Sequence, residues 1–157
     1  VPAIWDVDIK EAKIIMERID GKPLIEILRN NEHDEELLIN VGKAIRELHR
    51  NAVNHGDLST NNILIDKERN PILIDLGLSS REYDLEGFGI DLHVLHEILR
   101  ASHPEVKGAM DLVLKGYVAL DEELGKPQPA PGGMPPDANE VVKRLEQIMM
   151  RVRYHGG

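Results

Sequence analysis

Three oxygen-bearing side chains fall within two short motifs: Asp57 and Asn62 in HGDLSTNNIL, His55 to Leu64, and Asp75 in LIDLGLS. A carboxylate such as Asp57 can orient a hydroxyl and take its proton. An amide oxygen and a second carboxylate, Asn62 and Asp75, suit Mg²⁺, which takes one or two protein oxygens and completes its shell with phosphate and water. Taken singly, these residues have plainer uses: Asp57 and Asn62 as turn residues that satisfy local backbone, Asp75 as the end of a strand. Their convergence is what argues for chemistry. His55 reads as a residue that packs and hydrogen-bonds within its loop rather than ionising.

That convergence depends on the flanking elements. NILID and PILID are apolar runs separated by KERN, four residues of strong turn character, and read as a β-hairpin. The hairpin returns Asp75 and Gly77 toward the loop that carries Asp57 and Asn62. Ahead of the loop, EELLINVGKAIRELHR places Leu37, Val41, Ile45 and Leu48 at helical spacing, with Asp34 positioned to cap the helix. PAIWDVD and AKIIMERI read as two short strands joined by a turn at Ile9 to Glu11. Gly21 and Pro23 break that pattern, and a short helix is expected from Pro23 through Leu28.

Downstream, a helix from about Gly89 to Ala101 is apolar around most of its circumference and is expected to be largely buried. Glu105 to Leu124 reads as a further helix, and GKPQPAPGGMPPD as a loop that only connects. Asp137 and Glu140 resemble a capping box opening a last helix with Val141, Leu145, Ile148 and Val152 on one face.

Composition narrows the function classes. The 157 residues are 41% hydrophobic and 30% charged, ordinary values for a globular chain. No apolar run approaches the roughly 18 to 20 residues of a membrane span, and no signal-peptide pattern opens the sequence, so a cytoplasmic protein without a membrane is expected. The absence of Cys removes disulfides, thiolate nucleophiles and Cys-based zinc sites. A net charge of −9 argues against nucleic-acid binding by the whole surface, and a 3% aromatic share leaves few rings to stack on bases. His93 and His96 lack the carboxylate arrangement of a metal site. Arg144, Arg151 and Arg153 read as a solvated helix face. The start at Val1 is expected to mark a fragment.

HGDLSTNN followed by DLG, with a hairpin between, resembles the protein-kinase-like signature H-R-D-L-x-x-x-N then D-F-G, with Gly56 in place of Arg and Leu76 in place of Phe. The resemblance implies an α+β, protein-kinase-like fold: residues 1–22 as a remnant of N-lobe strands and hinge, residues 23–157 as a mostly helical C-lobe with its catalytic-loop hairpin. It implies ATP and Mg²⁺ as cofactors, Asp57 as the catalytic carboxylate, and Asn62 and Asp75 as metal ligands. IIMERIDG resembles the last N-lobe strand running into the hinge, which puts Met16 at the back of an adenine pocket and backbone groups of Glu17 and Ile19 on the adenine edge. Asp91 resembles the Asp that braces the catalytic loop from below, a buried carboxylate that must be paired with donors. No residue ahead of Val1 supplies a phosphate-covering loop or an ATP-pairing Lys, so the chain reads as a C-lobe with an incomplete N-lobe.

Only the 13 residues Leu78 to Ile90 separate DLG from Asp91, without an A-P-E motif, so peptide-substrate specificity is not expected. HGDLSTNN, LIDLGLS, GIDLHVLHEILRASHPE and VLKGY together resemble the small atypical Ser/Thr kinase of the KEOPS (EKC) complex, the p53-related protein kinase family. The similarity runs from about Val1 to Tyr154 and includes Ser102-His103-Pro104. It implies an ATPase or Ser/Thr kinase within the complex that makes threonylcarbamoyladenosine on tRNA. The implied partners are the threonylcarbamoyl-transferring subunit and a small regulatory subunit, with tRNA reached indirectly or through C-terminal basic residues. RVRYHGG keeps Arg151 and Arg153 but departs from the R-G-R-like tail of that family. Two other readings stay open: a non-catalytic lobe that scaffolds those partners, and a RIO-type or small-molecule kinase, whose catalytic loops HGDLSTNNIL also resembles.

Overall fold

β-Branched residues near the start of the chain form an antiparallel pair, β1 (Ile4–Asp8) and β2 (Lys13–Met16), in the computed structural model, which describes residues 1–8, 10, 13–76 and 78–155. The expected turn at Ile9 to Glu11 falls largely outside the described residues. There follow β3 (Gly21–Pro23), α1 (Leu24–Arg29), α2 (Glu35–Arg50), β4 (Val53–Asn54), β5 (Ile63–Asp66), β6 (Pro71–Leu73), β7 (Ser80–Arg81), α3 (Leu85–Ser102), α4 (Ala109–Leu124) and α5 (Ala138–His155). The fold is α+β, as expected: helices pack around one apolar core, with small antiparallel sheets on it.

The Gly21 to Pro23 segment is not a break. It is the edge strand of a three-stranded sheet in the order β3-β5-β6, paired antiparallel with Leu64 to Asp66. Gly21 permits the approach, because a Cβ there would stand 2.5 Å from the Ile65 carbonyl oxygen. Pro23 is tolerated because an edge position spares its missing N–H. β5 and β6 form the expected hairpin, whose turn is closed by the Asp66 carboxylate accepting the Glu68 and Asn70 N–H groups at 2.9 and 2.8 Å.

The helix predicted from Leu37, Val41, Ile45 and Leu48 is α2, and all four residues are buried. Asp34 caps it, accepting the Leu37 N–H at 2.8 Å. Its neighbour is α4, and the two backbones meet at a pair of glycines. A Cβ on Gly42 would stand 1.8 Å from the Val113 carbonyl oxygen, and one on Gly116 would stand 1.8 Å from that of Ile39. Gly116→Ala is therefore expected to push the helices apart and lower the unfolding free energy by about 1–3 kcal/mol in a urea titration; an unchanged midpoint would contradict this packing.

Three boundaries and faces differ from expectation. α3 begins a turn earlier than Gly89 and buries one side through Phe88, Leu92, Leu95 and Leu99, while Ile90 is 45% exposed because only one flank of the helix meets α5 and α4. α4 begins at Ala109 rather than Glu105, since Gly108 takes a left-handed φ of 71° that stops the helix from extending backwards. On α5, Val141, Leu145 and Ile148 are buried as expected, but Val152 is 46% exposed and borders an open cavity with His93 and Met149.

The Pro/Gly segment does more than connect. Pro127, Pro135 and Pro136 are buried, and the Pro136 carbonyl accepts Arg46 Nη2 at 3.0 Å. The loop is thereby strapped to α2. Asp137 accepts the Glu140 N–H at 2.9 Å, the expected cap of α5.

Candidate active site

The loop from His55 to Asn62 leaves β4 between the end of α2 and the start of β5, and three sets of hydrogen bonds fix it. The first comes from below. Asp91, 2% exposed on α3, accepts the His55 N–H through Oδ2 at 2.7 Å and the Gly56 N–H through Oδ1 at 3.0 Å. This is the bracing role that the resemblance implied.

The second set uses the His55 ring, which is fully buried. Its Nδ1 accepts the Asp57 N–H at 3.1 Å and its Nε2 donates to the Ile74 carbonyl at 2.7 Å, so the proton resides on Nε2. His55 is therefore a structural joint, as expected. The Ile74 N–H in turn donates to the Asn62 carbonyl at 2.9 Å. Both backbone groups of Ile74 grip the loop, which delivers the next residue, Asp75, to it.

The third set lies within the loop. Asn62 Nδ2 donates to the Asp57 carbonyl at 2.9 Å and to Asp57 Oδ2 at 3.2 Å. With its amide nitrogen committed, Asn62 has its amide oxygen left to offer a cation. Asp57 and Asp75 are both exposed, and Asp75 holds a left-handed φ of 60°. Such a conformation is uncommon outside glycine and clusters at functional sites. The structure thus places Asp57 and Asn62 in contact on one loop, with Asp75 next to Ile74, whose backbone is bonded to that loop. Gly77 and the side chain of Met16 lie outside the described residues. Glu17 and Ile19 lie on the segment after β2, where the Glu17 N–H donates to the Ala3 carbonyl at 2.6 Å.

The replacement of Arg by Gly56 has a visible consequence. Gly56 has φ 86°, and a Cβ there would stand 2.2 Å from the Leu78 carbonyl oxygen. The chain after Asp75 folds directly onto this glycine and is held again where β7 pairs with β4. Asn54 Oδ1 accepts both the Ser80 N–H, at 3.0 Å, and the Ser80 hydroxyl, at 2.8 Å.

Behind Asp91 lies a buried polar chain that sequence reasoning missed. His49 donates from Nε2 to Asp91 Oδ2 at 2.9 Å, accepts the Tyr117 hydroxyl on Nδ1 at 2.7 Å, and stacks on Phe88 at 4.2 Å between centroids. Arg46 continues the chain, reaching Asp121 through Nε at 2.8 Å and Nη2 at 3.0 Å. Arg50 and the Ala138 N–H also donate to Asp121, each at 2.8 Å. Burial opposes the charge on Asp121, but hydrogen bonds from Arg46, Ala138 and Arg50 outweigh it and hold the carboxyl below its usual pKa. Burial raises the pKa of Tyr117 and keeps its hydroxyl protonated. A signal existed for His49: it lies four residues after Ile45 and seven after Gly42, on the apolar stripe of α2, where a polar residue needs a partner.

Burial lowers the pKa of His49, and the hydrogen bond to Asp91 offsets this only in part. Burial likewise lowers that of His103. An unfolded histidine takes up a proton as pH falls through about 6.5, whereas these folded rings stay neutral to lower pH. Their contribution is therefore complete above about pH 6.5 and is lost as pH falls below it. The urea midpoint is expected to drop between pH 7 and pH 5, with a smaller drop in His49→Gln; an identical drop in both proteins would contradict a buried neutral His49.

Arg144 and Arg151 are not simply solvated. Both pair with Glu86 at the start of α3, Arg151 at 2.6 Å, and they draw its carboxyl below the usual pKa. Among the described residues, no group of three His, Asp or Glu side chains has the geometry of a metal site.

A helical lobe whose catalytic-type loop is braced from below, faced by a hairpin, and supplied with a carboxylate, an amide oxygen and a second carboxylate is a protein-kinase-like lobe. A family model described as the protein kinase domain matches residues 6–87, just over half of the sequence. The chain belongs to the protein kinase domain family. It is 32% identical over 158 residues to the KEOPS complex subunit Bud32 of Pyrococcus abyssi, covering 98% of this chain and 66% of that protein. It is also 32% identical to a probable bifunctional tRNA threonylcarbamoyladenosine biosynthesis protein of Methanosphaera stadtmanae, and 28% identical to the EKC/KEOPS complex subunit BUD32 of Gibberella zeae. In each case 98% of this chain is covered, against 25% of the Methanosphaera stadtmanae protein and 61% of the Gibberella zeae protein. The chain thus spans less than two thirds of the length of these curated relatives.

Proposed function

We propose that this chain carries the catalytic-loop lobe of an Mg²⁺- and ATP-dependent phosphotransferase or ATPase that acts in a KEOPS-type assembly supporting threonylcarbamoyladenosine modification of tRNA. The observation that carries the reading is the Asp57–Asn62 pair, set on a loop whose position Asp91, His55 and Ile74 hold from three directions. The names of the relatives support the biological setting.

The donor set fits the cofactor. The Asn62 amide oxygen and the Asp75 carboxylate are hard oxygen donors of the number Mg²⁺ takes from protein in nucleotide sites. Bound Mg²⁺ supplies neutralisation of phosphate charge. Asp57 orients the attacking hydroxyl or water and accepts its proton, and the hydrogen bond from Asn62 fixes its carboxylate for that task. On the adenine side, the resemblance assigns backbone groups of Glu17 and Ile19 to the base edge and Met16 to the back of the pocket; the Glu17 N–H is already spent on Ala3, which leaves its carbonyl for that role.

In this reading residues 1–22 belong to an N-lobe remnant and hinge, and residues 23–157 form the C-lobe, with β3 running across the boundary. Partners are the threonylcarbamoyl-transferring subunit and a small regulatory subunit. Because Glu86 occupies Arg144 and Arg151, Arg153 is the favoured basic residue for tRNA contact. No helix among the described residues is long and apolar enough to cross a membrane, and a cytoplasmic setting fits the assembly. The test is Mg²⁺-dependent phosphate release from ATP by the chain combined with a threonylcarbamoyl-transferring subunit. Release is expected to fall about 10²-fold in Asp57→Ala, and equal release by both proteins would contradict the proposal.

A further inference from the structure

We propose, on the reading of Asp75 as an Mg²⁺ ligand, that Asn54 is a positioning residue for the metal site: its side chain clasps the segment after Asp75 to the strand that enters the catalytic loop, and so sets where the Asp75 carboxylate stands. Asp75 is exposed and holds a left-handed φ of 60°, a conformation that persists outside glycine only where the surrounding chain over-determines it. Its place is therefore decided by the anchorages on either side of it.

Upstream, both backbone groups of Ile74 are bonded to the loop. Downstream, the Ser79 N–H and hydroxyl donate to the Leu76 carbonyl at 2.9 and 2.6 Å, which folds the segment into a turn. A side chain of the loop's own strand fastens that turn. Asn54, half-buried on β4 and next in sequence to His55, accepts the Ser80 N–H at 3.0 Å and the Ser80 hydroxyl at 2.8 Å on one amide oxygen. β4 and β7 pair over two residues each, so their backbone ladder alone is a weak tether.

A second observation concerns the seat of the amide itself. Gly87, in the first turn of α3, leaves the space that Asn54 uses: a Cβ there would stand 2.5 Å from Asn54 Nδ2 and 2.7 Å from Asp84 Oδ2. The amide is thus lodged between β7 and α3, with its oxygen on Ser80. Asp57 depends on none of this. Its N–H is bonded to the His55 ring and its carboxylate to Asn62, while Asp91 braces the loop beneath. Losing the clasp therefore loosens the metal side of the site and leaves the catalytic carboxylate in place.

The test uses Asn54→Val, which suits a strand and removes the amide, and Gly87→Ala, which keeps every polar group and pushes the amide aside. Phosphate release from ATP by the chain combined with a threonylcarbamoyl-transferring subunit is followed against Mg²⁺ concentration. The Mg²⁺ needed for half-maximal release is expected to rise about tenfold in Asn54→Val, the low end for losing a partner that orients a metal ligand, and to rise in Gly87→Ala too. Release at saturating Mg²⁺ should change by less than about twofold, because Asp57 keeps its bonds. Amide hydrogen exchange of the chain gives a readout without turnover. The Ser79 N–H, bonded to Leu76 rather than to Asn54, should exchange about tenfold faster in Asn54→Val, with the Asn62 N–H unchanged. A wild-type Mg²⁺ requirement in Asn54→Val, a loss confined to saturated release, or unchanged Ser79 exchange would each overturn the proposal. A wild-type chain without Mg²⁺-dependent release would instead overturn the reading of Asp75 as a metal ligand, and the role of Asn54 with it.

Discussion

Asp91→Ala is expected to lower the unfolding free energy by about 3–5 kcal/mol, the combined cost of stranding several neutral hydrogen-bond donors. The argument rests on what the substitution strands. Asp91 accepts from the His55 and Gly56 N–H groups and from His49 Nε2, and losing it leaves three donors without this acceptor, those of His55 and His49 buried and that of the exposed Gly56 partly so. Each stranded donor costs about 1–3 kcal/mol, with partial relief where the loop can shift toward solvent. The same shift displaces Asp57, so turnover falls together with stability. Urea unfolding of the chain checks the first effect; a loss below about 1 kcal/mol would mean that the loop is held mainly by His55 and Ile74.

Asp75→Asn separates chemistry from stability. Asp75 is exposed and adopts φ 60°, a conformation that Asn tolerates as well as Asp, so the fold should be unaffected. Its negative charge is lost, and a neutral amide is a poorer ligand for a divalent cation. Catalysis in phosphoryl transfer is mainly positioning and charge neutralisation, so Mg²⁺-dependent ATP turnover is expected to fall by about 10²–10³-fold while the melting temperature of the free chain stays the same. Retained turnover would remove Asp75 from the metal site.

The parts that were legible in the sequence are those determined by neighbours along the chain. The stripe Leu37, Val41, Ile45 and Leu48 dictates α2, Asp34 caps it, and the apolar runs around KERN fold back as β5 and β6. HGDLSTNN and DLG could be placed together because a hairpin joins them, and their spacing carries the kinase resemblance. What escaped depends on contacts distant in sequence. Gly21 and Pro23 carry break signals, yet pairing with β5 overrides them. The His49–Tyr117 contact spans 68 residues, and the Arg46–Asp121 contact spans 75. Arg144 and Arg151 read as surface until Glu86, 58 and 65 residues away, is brought beside them. The Pro/Gly loop showed every sign of a free connector, and nothing local revealed that Arg46 would hold Pro136.

The most direct measurement is thermal melting of the full chain with ATP, with and without Mg²⁺, repeated on Asp75→Asn. A ligand that prefers the native state raises its stability by mass action. The account predicts a rise in melting temperature that requires both ATP and Mg²⁺ and disappears in Asp75→Asn. A wild-type chain that melts at the same temperature with and without Mg-ATP, or an equal rise in the variant, would contradict a metal-nucleotide site built on Asn62 and Asp75.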